Sequence, residues 1–379
     1  MKKVKKINIF IPYFLPDKSY GGPITSIFSL SKFLSQFFKV SIYTTDLFYD
    51  SQQNICSKSV KKEKFTFFVK RSKNHFRNLL SSLLVLLKKK NEIIYINSFF
   101  YVYNSFPFFF LSRFALLNGN KLVISPRAEL QPQKIKFKNY FLKTFFIFLY
   151  SFLASDKIIF ISSSENEYEV NKRIFFRNNH IILPNLPRFN NFLPYKKSSN
   201  LLKIIFISRI DPIKGLHFFL ESLLIYKKVL GIEIYIKGSI SNNKYFEKIN
   251  SMCKKLIKKG YKIDIEGHID VTKEVLSGFD VMVLPTLGEN FSHTIVEASQ
   301  SGLFCLISNN TPWFQNTKGA SEKLTYLSLN ESISFVSAID KLITLKQEKF
   351  SEYVREQQNE IKDVLNNSFI EHKKFFNGL

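Results

Sequence analysis

Apolar residues in this chain fall into short runs that return at regular intervals, most cleanly between Lys203 and Ser308. KIIFISR (203–209), IEIYIKG (232–238), YKIDIEG (261–267), FDVMVLP (279–285) and LFCLIS (303–308) are rich in β-branched residues, and each predicts a strand. Between them GLHFFLESLLIYKKVLG, YFEKINSMCKKLIKKG, VTKEVLSG and SHTIVEASQSG space their apolar residues as helices do, and several close on Gly. Runs that are apolar throughout, rather than alternating, and are separated by helices predict a parallel sheet covered on both faces. A Rossmann-like domain is therefore expected over residues 201–360.

The first half repeats the alternation less cleanly. INIFIPYF, VSIYTT, FTFFVKR, EIIYINSF, KLVISPR and KIIFISSS are its strand candidates, and after the first of them Ile24, Ile27, Phe28, Leu34 and Phe38 form a helical stripe. A second Rossmann-like domain is expected over residues 1–185. LPNLPRFNNFLPYKKSSN (183–200), dense in Pro, Asn and Ser, reads as the linker, assigned to 186–200. The last segment, 361–379, is expected to be a helix packing back on the first domain. The fold class is thus α/β, with two doubly wound domains facing across a cleft. Such sheets bind ligands at the carboxyl ends of their strands, so residues that directly follow strands are the candidates for chemistry.

At 379 residues the chain has room for two cores, and 45% hydrophobic residues exclude a disordered protein. A net charge of +25 points to a polyanion, an anionic membrane or a phosphorylated substrate without choosing among them, and an AT-rich coding sequence would give the same lysine excess. Cys56, Cys253 and Cys305 stand far apart, so their spacing suggests neither a disulfide framework nor a zinc site, and a reducing compartment fits. The basic start followed by apolar residues superficially resembles a signal peptide. Pro12 interrupts the run, however, and Ile7, Ile9 and Ile11 alternate as in a buried strand, so the start is read as mature protein. The longest apolar window, 144–154, falls well short of the roughly 20 residues of a spanning helix.

Four constellations sit at strand ends. Gly21 and Gly22 lie in the first loop before a helix, where glycine lets backbone N–H groups approach a phosphate, although such a pair is also a common turn. In ISRIDPIKG, Arg209 and Lys214 flank a turn between a strand and a helix and suit a diphosphate. In LPTLGENFSHTIVEA, Glu289 and Glu297 stand eight positions apart. A capping box of Thr294 and Glu297 would explain the second acid but not the first. Two carboxylates gripping hydroxyls, beside free helix N-terminal N–H groups facing an anion, would explain both. In VISPRAELQPQK, Arg127 and Glu129 follow a strand of the first domain and read either as a local salt bridge, the favoured reading, or as contacts to an acceptor.

Taken together, YGGP, SPRAEL, SRIDPIKG and LPTLGENFSHTIVEA resemble, in that order and spacing, family 4 of the retaining glycosyltransferases, which adopt the GT-B fold. SPRAEL is similar to an SPRGxL element of members acting on bacterial surface polysaccharides. The resemblance runs over roughly residues 7 to 315. It implies that Arg209 and Lys214 bind the diphosphate of a nucleotide-sugar donor, with Gly22 approaching it from the other domain. It further implies that Glu289 holds the transferred sugar, that Glu297 holds the ribose and that the amides of Phe291 and Ser292 contact sugar or phosphate. Catalysis would then rest on Arg209, Lys214 and Glu289 without a dedicated nucleophile, a cofactor or a metal. His293 is a further candidate for sugar or phosphate contact, beside its reading as an exposed residue at a helix terminus. Ser208, Ala128 and Ser292 stand where the family has Gly.

QKIKFKNYFLKTFFIFLYSFLAS mixes lysines with phenylalanines in the domain that would hold the acceptor, and it reads either as a core helix with a basic end or as a segment lying on an anionic membrane. The resulting expectation is a cytoplasmic transferase, peripheral at the inner face of the membrane. It would act on a saccharide or lipid-linked saccharide acceptor in capsule, O-antigen or exopolysaccharide synthesis. The alternatives are a GT-B nucleotide-sugar epimerase, a non-catalytic homologue that binds nucleotide sugar, and a basic nucleic-acid-binding protein. No nucleic-acid module is visible, and nucleic acid is not expected as a partner.

Overall fold

The computed structural model describes residues 5–14, 22–45, 58–62, 65–72, 79–80, 83–84, 87–88, 90–113, 119–137, 139–188, 191–196, 201–267, 272–313, 326–331 and 333–379. The chain divides into two compact units. Unit 1 is Met1–Leu186 with Ser368–Leu379, and unit 2 is Pro187–Asn367.

Unit 1 contains β1 (Lys6–Phe10), α1 (Gly22–Leu34), β2 (Lys39–Thr45), β3 (Lys58–Lys62), β4 (Phe65–Ser72), β5 (Ile93–Asn97), α2 (Val102–Arg113), β6 (Lys121–Ser125), α3 (Pro132–Phe137), α4 (Tyr140–Leu153), β7 (Ile158–Ser162), α5 (Glu165–Ile174) and β8 (Asn179–Ile182). Its sheet has the order β3-β4-β2-β1-β5-β6-β7-β8. All neighbours are parallel except β3 on β4. Successive strand residues feed two separate cores, which is why the runs read as continuously apolar. Ile7, Ile9, Ile93 and Tyr95 join the α1 side chains Ile24, Ile27, Leu30 and Leu34, whereas Phe10, Ile94 and Ile96 join Phe108 and Phe109 of α2 and Tyr150 of α4.

Unit 2 contains β9 (Leu202–Ile207), a 3-10 turn (Pro212–Lys214), α6 (Leu216–Ile225), β10 (Ile232–Lys237), α7 (Asn243–Lys258), β11 (Lys262–Glu266), α8 (Lys273–Leu276), β12 (Val281–Leu284), α9 (His293–Gln300), β13 (Phe304–Ser308), β14 (Tyr326–Leu327), α10 (Ser334–Thr344) and α11 (Gln347–Gly378). Its sheet runs β11-β10-β9-β12-β13-β14, parallel throughout. Both units are Rossmann-like. Helix α11 starts in unit 2, and its residues from Ser368 count with unit 1, where Ser368 donates to the Pro184 carbonyl at 2.9 Å and Phe376 is fully buried.

Three strands were not expected. β3 is KSVKK, whose lysines hide any apolar alternation, β8 is only half-buried, and β14 is two residues long.

Candidate functional site

In the sheet of unit 2 the chain leaves β9 towards β10 on one side, and β12 is β9's neighbour on the other side. The crossovers therefore diverge between β9 and β12, the switch point at which open α/β sheets bind ligands. The loops that follow these two strands carry the two strongest sequence motifs. One glycine makes their approach possible. Gly215 sits at φ +68°, and a Cβ there would lie 1.9 Å from the Pro285 carbonyl oxygen. The loops are then tied by Leu287 N–H donating to the Ile213 carbonyl at 2.8 Å and by the Thr286 hydroxyl donating to the same oxygen at 3.0 Å.

This contact brings Lys214 and Glu289 together. Their side chains form an ion pair with only 16% and 12% of their surfaces exposed. The Asp211 side chain accepts from Ile213 N–H at 3.0 Å and fixes the turn that aims Lys214. Arg209, on the same loop, is exposed.

The β12 loop ends at α9. Ser292 is its N-cap at φ 57°, ψ 87°, a left-handed conformation, and makes no side-chain cap bond. A capping box of Thr294 and Glu297 is thus not formed: the helix begins at His293, so Thr294 already lies inside it. Among the described residues the N–H groups of Phe291 and of the N-cap Ser292, just ahead of the helix, have no partner. Phe291 itself is held in place by burial and by Trp313 Nε1–H donating to its carbonyl oxygen. His293 is half-buried, edge-on to the Phe291 ring at 4.9 Å, which corrects its reading as an exposed terminal residue. Glu297, one turn further on, is buried, and burial pushes its carboxyl up to about 7, with Arg188 pulling it back down.

Residues 202–344 match the family Glycosyl transferases group 1. Among solved structures, the chain is similar to sucrose-phosphate synthase from Thermosynechococcus elongatus at 12% identity and TM-score 0.74, covering 99% of this chain and 98% of that one. It is also similar to Anabaena HepE in complex with UDP and glucose at 14% identity and TM-score 0.68, covering 99% and 100%. A third is an E. coli trehalose-6-phosphate structure bound with UDP-2-fluoro glucose, at 13% identity and TM-score 0.65, covering 99% and 98%. The fold is GT-B. No curated protein matches the chain in sequence.

Unit 2 thus gathers Lys214, Glu289, Phe291, Ser292 and His293 around the switch point. Two of its features escaped sequence reasoning. Arg188 lies in the linker, where no periodicity marks it, and yet acts on Glu297. Lys237, the last residue of β10, is held at 2.7 Å by both Asp264 and Glu266. Partial burial opposes its charge, but these two hydrogen bonds outweigh the burial and raise its pKa.

In unit 1, Gly22 opens α1, and its carbonyl accepts from Ser26 Oγ at 2.9 Å. Gly21 lies outside the described residues. Arg127 and Glu129 do not form the expected salt bridge. Arg127 and Ala128 both adopt left-handed backbone, φ 56° and 58°, which sends the two side chains apart. Arg127 donates to Asn97 at 2.6 Å, to the Tyr95 hydroxyl at 3.0 Å and to Asn185. Glu129 accepts from the N–H groups of Phe99 and Phe100 at 2.7 and 2.8 Å and from Ser98 Oγ at 2.8 Å. Burial raises the Glu129 pKa, and those three donors oppose the rise. The turn is clamped further by Glu167, buried on α5, which accepts Ala128 N–H at 2.5 Å and Ser163 N–H at 2.8 Å.

Proposed function

We propose that the protein is a retaining glycosyltransferase that binds a nucleotide sugar in unit 2 and transfers the sugar to a lipid-linked saccharide during assembly of a bacterial surface polysaccharide such as capsule, O-antigen or exopolysaccharide. The observation that carries the reading is the Lys214–Glu289 ion pair at the β9/β12 switch point, beside the amides of Phe291 and Ser292 just ahead of α9. A cation and a carboxylate this close neutralise each other at rest. A ligand that carries both a diphosphate and sugar hydroxyls gives each a better partner than the other provides. Lys214 and Arg209 then face the diphosphate, together with the amides of Phe291 and Ser292 at the positive end of α9. Glu289 accepts from sugar hydroxyls, Glu297 accepts from the ribose, and His293 flanks the sugar. Gly21 and Gly22 would let the first loop of unit 1 come near the phosphates. The solved structures with UDP and glucose or UDP-2-fluoro glucose make a UDP-sugar the first donor to try.

The reaction breaks the bond between the anomeric carbon and the diphosphate oxygen and forms one to the acceptor oxygen on the same face. The acceptor proton passes to the departing phosphate. Charge builds on the leaving diphosphate, so Lys214 and Arg209 act most strongly in the transition state. We propose that neither a cofactor nor a metal takes part, so activity should survive a chelator. Arg127 and Glu129 serve the acceptor side by shaping the strand-exit loop, and the protein contacts an anionic membrane peripherally to reach a lipid-linked acceptor. Among the described residues no helix is long and apolar enough to cross a membrane.

Thermal shift with UDP, GDP and dTDP tests the donor site. One nucleotide should stabilise the protein, and Lys214→Ala should remove most of that shift. If no nucleotide shifts the wild type while duplex DNA does, the basic-protein alternative replaces this reading.

A further inference from the structure

Helix α4 leaves its most hydrophobic stripe uncovered. Phe141, Phe145, Phe148 and Phe152 recur at i, i+4, i+7 and i+11, which places all four on one narrow face. They are 86%, 56%, 72% and 70% exposed. Leu142 and Tyr140 widen the patch. The opposite face is anchored in the core of unit 1 through Tyr150 and Leu153, with Phe146, Ile147 and Leu149 packed against that core. The helix is therefore held by unit 1 on one side and presents a row of aromatic rings on the other. A monomer in water does not ordinarily expose such a row.

Charge decides what covers it. From Leu130 to Ser155 the sequence has no acidic residue, and its ionisable groups are Lys134, Lys136, Lys138, Lys143 and the tyrosines Tyr140 and Tyr150. Lys134 and Lys136 are exposed on α3, directly before the aromatic face. A second copy of this patch would set lysine against lysine. An anionic bilayer offers hydrocarbon for the rings and, in the layer just above it, phosphates for the ammonium groups. With 14 residues, α4 is too short to span a bilayer and suits lying in its plane.

We propose that α3 and α4 form the membrane-binding surface of the protein, with Phe141, Phe145, Phe148 and Phe152 inserted among the acyl chains of an anionic leaflet and Lys134 and Lys136 on its headgroups. This gives a location and a lipid class to the peripheral contact proposed above. It does not require the transferase reading to hold, because binding to vesicles is measured without donor.

The test is co-sedimentation of the full chain with vesicles of phosphatidylcholine alone and of phosphatidylcholine mixed with phosphatidylglycerol. Wild type should partition onto the mixed vesicles, and Phe145→Ser/Phe148→Ser should lower that partition roughly tenfold or more. Lys134→Glu/Lys136→Glu should abolish the preference for phosphatidylglycerol. These side chains are exposed, so circular dichroism and nucleotide-induced thermal shift should match wild type, and that control separates loss of membrane binding from misfolding. Unchanged partition of the phenylalanine variant would overturn the proposal. Equal binding to both vesicle types would also overturn it, as would a wild type that ignores vesicles and dimerises through these phenylalanines. Failure here with intact nucleotide release leaves the transferase standing, whereas vesicle binding without nucleotide release sinks only the transferase.

Discussion

At the scale of single residues, the site depends on side chains whose surroundings set their charge. Lys214→Ala should lower turnover by about 2.7 to 4 kcal/mol, or roughly a hundred- to a thousandfold, because a preorganised donor to the leaving group is lost. It also strands Glu289 without its ion-pair partner, so a thermal-melting deficit in the absence of ligand is part of the expected outcome. Glu297 gives a pH signature. Its pKa, raised to about 7, means that the folded state holds a proton that the unfolded state has released above its ordinary carboxylate value. Its contribution to stability is full below about 4.5 and is lost as pH rises towards 7, by about 3 kcal/mol at most. In its proposed role of accepting from the ribose, Glu297 makes donor binding run the other way, because hydroxyls donate best to the ionised form: affinity should rise as pH passes 7, and Glu297→Gln should flatten the rise. Calorimetric titration with UDP a unit below and a unit above that value measures both. Ser292 and Ala128 hold left-handed backbone that glycine adopts without strain. Ser292→Gly should therefore stabilise unit 2 by about 1 kcal/mol, read from the denaturation midpoint, without weakening nucleotide binding.

At the scale of elements, the strands around the site were legible because they are buried on both faces and carry apolar residues at every position. The junction between them was not. Sequence marks Lys214 and Glu289 as 75 residues apart, and only the meeting of Gly215 with the Pro285 carbonyl joins their loops. Gly215→Ala faces both a positive φ and a backbone clash, so it should cost several kcal/mol or force the loops apart. The expected readout is an earlier denaturation midpoint together with loss of nucleotide binding, and a variant that binds UDP normally would show that the loop contact is dispensable. The capping box weighed at Thr294 fails for a related reason: α9 starts at His293 after a left-handed Ser292, which no periodicity reveals. Arg127 and Glu129, two positions apart, look like partners in the sequence, but the left-handed turn between them assigns each to a different set of bonds.

At the scale of the whole molecule, the net charge of +25 fitted an AT-rich coding bias as well as a basic surface, and the structure places one part of that charge on α3 and α4. The two units should also respond to acid in opposite senses. His372, buried in unit 1, has its pKa lowered to about 4, chiefly by burial, with Arg127 adding to the drop and the Ser368 carbonyl opposing it. Its stabilising contribution is full above about 6.5 and is lost as pH falls towards 4, by about 3 kcal/mol at most. Acidification from neutral pH should therefore weaken unit 1 while relieving Glu297 in unit 2, and His372→Phe and Glu297→Gln should each remove one of the two trends from thermal melts.

The central claim is sugar transfer from a nucleotide donor, and it is tested most directly by incubating the purified protein and a membrane lipid extract with UDP-, GDP- and dTDP-sugars, following nucleotide release and incorporation of sugar into lipid. Release and incorporation with one donor, lost in both Glu289→Gln and Arg209→Ala, is the predicted result. Release that persists undiminished in both variants, or silence across the panel from a protein that still binds nucleotide, would contradict it.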